Sequence, residues 1–367
     1  MPYPPGAAKN NKKRITNIQQ GISNNEGKGI HPQLNIGYSL LIIRLLLIIM
    51  CYVPRMCWGQ GAGVIMSEVA MKKVAGERIE VRERLPVVAW WSVPNEETTP
   101  SRYRELAEAG FTHSLSYLPD EKAAVHALDV AQGEGVKLLV YFDAGFKEFL
   151  KNPAAVAGRL KNHPALAGYR IWDEPAIGNY ADLASCVRLL QSADPAHIAY
   201  INLLPNYANA DQLGCASYRV YVDRFVAEVP VKLISFDHYP FSNPTVGTIF
   251  YENMELIAET ARRVGKPFWA FVESHEALGR NPRVPTLADM RLQAFANLAY
   301  GAQGMQYFTY WTPSGPDEQA YLSAPITKDG RRTPIYDAVK ELNCELAALS
   351  GVFVGSEVVS LGHTGDS

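Results

Sequence analysis

From Pro86 onward the chain alternates short apolar runs, rich in valine, isoleucine, tyrosine and phenylalanine, with longer amphipathic stretches. Eight runs can be counted, at 87–93, 111–118, 137–143, 167–172, 198–204, 232–238, 268–273 and 305–311. Strands of a parallel sheet are covered on both faces and read as short continuous apolar segments, and each needs a crossover helix to reach its neighbour. The intervening stretches carry the punctuation of such helices. Thr99-Pro100 reads as cap and first position, Gly110 as a stop, Asp120-Glu121 and Asn152-Pro153 as starts, and Gly265 and Gly301 as terminators. Eight strand-helix units over roughly 265 residues match the order and size of an α/β (β/α)8 TIM barrel, typically about 250 residues long. A doubly wound open sheet is the competing α/β architecture. It needs a glycine-rich phosphate turn after its first strand, and no G-x-G-x-x-G follows 87–93.

The rest of the chain divides around that barrel, expected at 86–350. Residues 1–66 read as a leader: polar and basic residues, including Lys12, Lys13 and Arg14, precede an apolar core at 40–53 that only Arg44 interrupts. At about 14 residues this core falls short of the roughly 20 of a spanning helix and fits an export signal, removed between Pro54 and Ser67. Residues 67–85 read as a linker. The tail, 351–367, with Val352-Phe353-Val354 and Glu357-Val358-Val359, reads as the opening of a further β segment, that of a truncated β domain. The expected location is therefore exported: periplasmic, cell-surface or secreted. Contact with a membrane is expected only through the signal. A formal charge of −2, with no basic run in the body, excludes a nucleic-acid footprint. Cys186, Cys215 and Cys344 are an odd, widely spaced set in the body and make no disulfide framework; Cys51 and Cys57 fall in the leader, and no small-residue lipoprotein pattern precedes Cys57.

Two carboxylates stand at the expected carboxyl ends of apolar runs: Glu174 in Ile171-Trp172-Asp173-Glu174-Pro175, and Glu273 in Phe271-Val272-Glu273-Ser274. A carboxylate at the end of a buried strand loses hydration and costs free energy unless the site uses its charge or its proton. By count they close strands 4 and 7, across the barrel mouth from one another, where barrel enzymes keep their catalytic groups. One protonated and one ionised carboxyl facing a common substrate is what glycoside hydrolysis requires. Glu276 is a rival to Glu273 if the strand ends later. Other candidate substrate-binding groups are Trp91 at the end of strand 1, Tyr141 and Asp143 at strand 3, Asn202 and Asn206 at strand 5, and His238 at strand 6.

On Trp172-Asp173-Glu174-Pro175, Asp237-His238-Tyr239, Glu273 and Trp311, the barrel region resembles the large clan of retaining (β/α)8 glycoside hydrolases, which carry an acid/base Glu after strand 4 and a nucleophile Glu on strand 7. The resemblance implies that Glu174 is the acid/base and Glu273 the nucleophile, that Tyr239 hydrogen-bonds the nucleophile, and that Trp311 floors the sugar subsite. It also implies a carbohydrate substrate and no cofactor or metal. There are two departures. The clan usually has Asn before the acid/base, where it bonds the sugar, and here the residue is Asp173. Many members carry an Arg near the end of strand 2, and Phe111-Thr112-His113-Ser114-Leu115-Ser116-Tyr117 has none.

Two other functions compete with a glycosidase. A metal-dependent barrel hydrolase needs clustered ligands such as H-x-H on strand 1, whereas the body's histidines are scattered in sequence. A non-catalytic carbohydrate-binding barrel would keep the aromatic lining without needing both carboxylates.

Overall fold

The structure, a computed structural model, describes residues 71–73, 84–142, 146–241, 248–277, 283–314, 321–359 and 361. The expected leader at 1–66 and Asp143 lie outside the described residues.

The eight apolar runs form eight parallel strands: β1 Val87–Trp90, β2 His113–Leu115, β3 Lys137–Phe142, β4 Leu166–Asp173, β5 Ile198–Leu203, β6 Ile234–Phe236, β7 Phe268–Glu273 and β8 Met305–Phe308. Each pairs with its sequence neighbour, and β8 returns to β1 in the register Met305↔Val87 to Phe308↔Trp90, closing a TIM barrel. A short extension of β2, Tyr117–Leu118, pairs with the end of β3.

A helix follows each strand: α1 Pro100–Glu108, α2 Glu121–Gly133, α3 Pro153–Leu160, α4 Tyr180–Ala193, α5 Tyr218–Glu228, α6 Thr248–Val264, α7 Leu287–Ala299 and α8 Pro334–Phe353. Their starts follow from capping chemistry. Thr99, Asp120, Asn152 and Ser217 each accept an amide of the first turn, and proline, which needs no amide partner, opens α1, α3 and α8.

Alternation along the strands sorts side chains into two cores. Val87 and Ala89 face the helices, while Val88 and Trp90 face inward, where they meet Leu115, Leu139, Tyr200, Trp269 and Phe271. The interior also holds a buried polar bridge. Tyr200 donates to Gln306 Oε1, Gln306 Nε2 donates to Ser235 Oγ at 2.9 Å, and Ser235 Oγ donates to Asn202 Oδ1 at 2.9 Å. These partners satisfy groups that would otherwise cost about 1–3 kcal/mol each when buried.

β4 departs from regular alternation. Its register against β5 slips between Arg170 and Trp172, so that Arg170 pairs with Tyr200 and Trp172 with Ile201. Without that bulge, residues three apart on a strand would face opposite sides of the sheet. With it, Arg170 and Asp173 both turn into the barrel, and the guanidinium Nη2 lies 3.5 Å from Asp173 Oδ2.

At the chain's end, Val352 and Phe353, expected to open a β segment, instead close α8. A short strand does follow, Ser356–Val358, antiparallel to Met71–Lys73. Among the described residues no helix is long and apolar enough to cross a membrane.

Candidate active site

The carboxyl ends of β4 and β7 supply the two glutamates. Glu174 follows β4 in the left-handed region, at φ 48°, and its amide donates to the Asn202 carbonyl at 2.8 Å. Pro175 disfavours the right-handed helical alternative at this position. Trp91, which follows β1, has the same φ of 48°. For residues other than glycine this conformation costs about 1–2 kcal/mol. Such positions concentrate at functional sites.

Glu273 ends β7 and is 3% exposed. Its Oε2 accepts the Phe241 amide at 3.2 Å, and its own amide donates to Gln293 Oε1 at 2.9 Å. Beyond it, the Ser274 amide and His275 Nδ1 both donate to the Phe308 carbonyl, at 2.9 and 2.8 Å, tying the end of β7 to the end of β8. Burial pushes the His275 imidazole below its ordinary pKa, against the opposing charge of Glu273.

Two phenols bring the carboxylates together. Tyr207, in the loop after β5, is held well above the ordinary tyrosine value, first by burial and then by the negative charges of Asp237, Glu174 and Glu273. Tyr239 is raised in the same way, by burial and then by Asp237, Tyr207, Glu174 and Asp173. Asp237, Glu174 and Glu273 therefore lie within electrostatic reach of Tyr207, and Asp237, Glu174 and Asp173 within reach of Tyr239.

Half-buried aromatic rings line the mouth beside these groups. Trp91 and Tyr117 lie 4.8 Å apart, Tyr117 and Tyr141 5.0 Å, and Tyr239 and Phe308 5.5 Å. Flat apolar faces with polar edges suit the two-sided chemistry of a sugar ring.

Three expected site residues are placed elsewhere. Trp311 is 3% exposed: β8 ends at Phe308, and the Trp311 ring carries the Arg102 guanidinium 5.0 Å from its centroid, with Gly330 at its edge. It has no open face for a sugar, and Phe308 holds the β8 position at the mouth. His238 is 3% exposed and faces out of the barrel, with Nδ1 3.1 Å from Asn253 Oδ1 and the ring against Phe250 and the edge of Tyr207. Desolvation lowers its pKa from 6.5 to about 4, so it stays neutral behind the site. Asn202 does face inward but lies one layer down, 1% exposed, and its Nδ2 donates to Asp173 Oδ1 at 3.2 Å. It supports Asp173 rather than meeting a ligand.

Asn206 is likewise occupied, donating from its amide to Asn253 and from Nδ2 to the Ile249 carbonyl. Glu276 begins a two-residue strand paired with Tyr321–Ser323 at the rim, past the end of β7. Among the described residues, no three His, Cys, Asp or Glu side chains come together as a metal-binding group.

Sequence reading did not assign Tyr207, Asp237, Tyr117, Phe308 or Arg170. Asp237 carried a usable signal, because Ser235, Asp237 and Tyr239 alternate inward while Phe236 and His238 face out. Tyr207 sits in an irregular loop and carried none.

No protein-family profile matches this chain, and no curated protein matches it in sequence. Solved structures do. A β-galactosidase from Bacillus circulans sp. alkalophilus is 13% identical with a TM-score of 0.56, over 74% of this chain and 57% of its own. A β-galactosidase from the psychrophilic Marinomonas ef1 is 10% identical with a TM-score of 0.53, over 70% of this chain and 59% of its own. The likeness is one of fold. The GH5_18 protein of Streptomyces cattleya, solved with Manβ1-4GlcNAc, is 13% identical with a TM-score of 0.51, over 70% of this chain and 80% of its own. The chain spans about three fifths of the length of the two β-galactosidases. Its barrel is thus of a kind that glycoside hydrolases use.

Proposed function

We propose that this protein is an exported glycoside hydrolase that cleaves O-glycosidic bonds of an oligo- or polysaccharide with retention of configuration. What supports the reading is the placement of the two glutamates: Glu174 directly follows β4 and Glu273 ends β7, at the carboxyl ends of strands of one closed barrel, and the charges of both reach the Tyr207 phenol. In the first step a Glu273 oxygen forms a bond to the anomeric carbon as the glycosidic C–O bond breaks, and the Glu174 proton passes to the leaving oxygen. In the second, water attacks the glycosyl enzyme, Glu174 takes its proton, and the bond to Glu273 breaks.

The test is hydrolysis of a panel of aryl β-glycosides and polysaccharides, with the product anomer read by NMR. Glu273→Ala is expected to lose turnover of every substrate. Glu174→Ala is expected to lose about 10²–10⁴-fold on substrates with poor leaving groups while sparing the first step for very good ones. Equal losses on both kinds of substrate would sink the role assignment, and sugar binding without turnover by the unaltered protein would replace it with a binding barrel.

A further inference from the structure

The bulge in β4 has an electrostatic consequence that bears on the acid/base. Arg170 is 7% exposed, deep in the barrel, with its guanidinium carbon 4.1 Å from the centroid of Tyr141, 5.3 Å from Trp90 and 5.7 Å from Tyr117. A buried guanidinium is held by aromatic faces and by a counter-charge. The counter-charge here is Asp173, whose Oδ2 lies 3.5 Å from Arg170 Nη2. The other Asp173 oxygen accepts from Asn202 Nδ2 at 3.2 Å, and the Asn202 carbonyl receives the Glu174 amide at 2.8 Å. Arg170, Asp173, Asn202 and Glu174 therefore form a continuous chain of contacts, and it ends on the backbone of the residue with positive φ.

We infer that Arg170 is a positioning residue for Glu174, fixing its turn through Asp173 and Asn202 and cancelling the charge of Asp173 beside it. This inference rests on the glycosidase reading above. An ionised Asp173 adjacent in sequence to Glu174 would make the Glu174 proton harder to lose, and Glu273 and Asp237 in the same site push the same way. Other ionisable groups here are the phenols of Tyr207 and Tyr239, which stay protonated, His275, which burial keeps neutral, and the phenols of Tyr117 and Tyr141, which lie against the Arg170 guanidinium. Arg170 lies 3.5 Å from Asp173, the carboxylate next to Glu174 in sequence, and offsets its charge, so the alkaline limit of an acid role for Glu174 should depend on Arg170.

The experiment compares kcat and KM against pH for the unaltered protein, Arg170→Met, Asp173→Asn and the double variant, with urea unfolding of all four. Arg170→Lys serves as the variant that keeps the charge and loses the planar fork. For Arg170→Met, the alkaline limb of the kcat profile is expected to move up by about 1 pH unit, with kcat falling more than KM changes. The limb should move down for Asp173→Asn and return toward its original position in the double variant, while Arg170→Lys should keep it in place. The inference is overturned if the limbs of all variants coincide, if the limb of the double variant does not return toward its original position, or if Arg170→Met changes only unfolding. An unaltered protein that hydrolyses no glycoside, with Arg170 and Asp173 still coupled in unfolding, would sink the glycosidase reading and reduce the pair to architecture.

Discussion

His238 offers a quantitative test of how the site is built. The side chain is 3% exposed, and desolvation by burial, only partly opposed by its bond to Asn253, lowers its pKa from 6.5 to about 4. The native protein thus holds His238 neutral at pH values where the unfolded chain protonates it. Because the unfolded state binds more protons, stability falls as pH falls. The contribution is fully present above pH 6.5 and is lost progressively down to about pH 4. At 1.36 kcal/mol per pH unit the whole effect is about 3 kcal/mol, of which about 2 kcal/mol goes between pH 7 and pH 5. His113 faces the same linkage, lowered to about 4 by burial and by Lys137, so a comparison must hold it constant. The comparison is between the unaltered protein and His238→Gln, which keeps a donor for Asn253 and removes the titration. Urea unfolding at the two pH values should show the unaltered protein losing about 2 kcal/mol more than the variant, about a 30-fold difference in unfolding constant. Histidine NMR should show one imidazole, absent from the variant, titrating near 4. Equal pH dependence of the two proteins, or a His238 resonance titrating above 6, would refute the assignment and return His238 to the exposed pocket.

Tyr207→Phe keeps the ring against His238 and removes a hydroxyl within electrostatic reach of Asp237, Glu174 and Glu273, so kcat/KM should fall about 10-fold, the worth of an ordinary hydrogen bond. Unchanged kinetics would remove Tyr207 from the site. Two glycines should respond in opposite directions in thermal or urea unfolding. A Cβ at Gly168 would overlap the Ile198 carbonyl where β4 meets β5, so Gly168→Ala should destabilise by about 1–3 kcal/mol. Gly158 lies inside α3 with nothing within 4 Å of an added Cβ, so Gly158→Ala should stabilise by about 0.5–1 kcal/mol.

The barrel was legible because its strands and helices announce themselves locally. An apolar run ended by a turn signal, repeated eight times, leaves few ways to bury all the runs, and β7 begins and ends where its run does. The depth of a residue within the barrel was not legible. Asn202 and Tyr239 both point inward, but Asn202 pairs with Ser235 inside the barrel while Tyr239 lies past the end of β6, and no local pattern records where along its run a strand stops. Trp311 failed for a different reason. The apolar run at 305–311 outlasts the strand: β8 stops at Phe308, and Tyr310 and Trp311 continue beside Trp90 and Trp91 and bridge to Ile326, where the indole meets Arg102. Apolar continuity reports burial, and burial continues past the strand's end.

The β4 bulge ties Arg170 and Asp173 together. Strict alternation would have put Arg170 and Asp173 on opposite faces, which makes an arginine in that strand look like a helix-facing residue. The inserted position brings both inward, and Tyr117, at the end of the β2 segment, contributes a ring near the guanidinium. A buried guanidinium that lost its partner would cost about 3–5 kcal/mol, whereas Asp173, partly exposed and still bonded to Asn202, would lose less. Neither residue is readily explained without the other. Arg170 and Asp173 are therefore one charge-balanced arrangement. Substituting either residue alone leaves the charge of the other uncompensated beside Glu174.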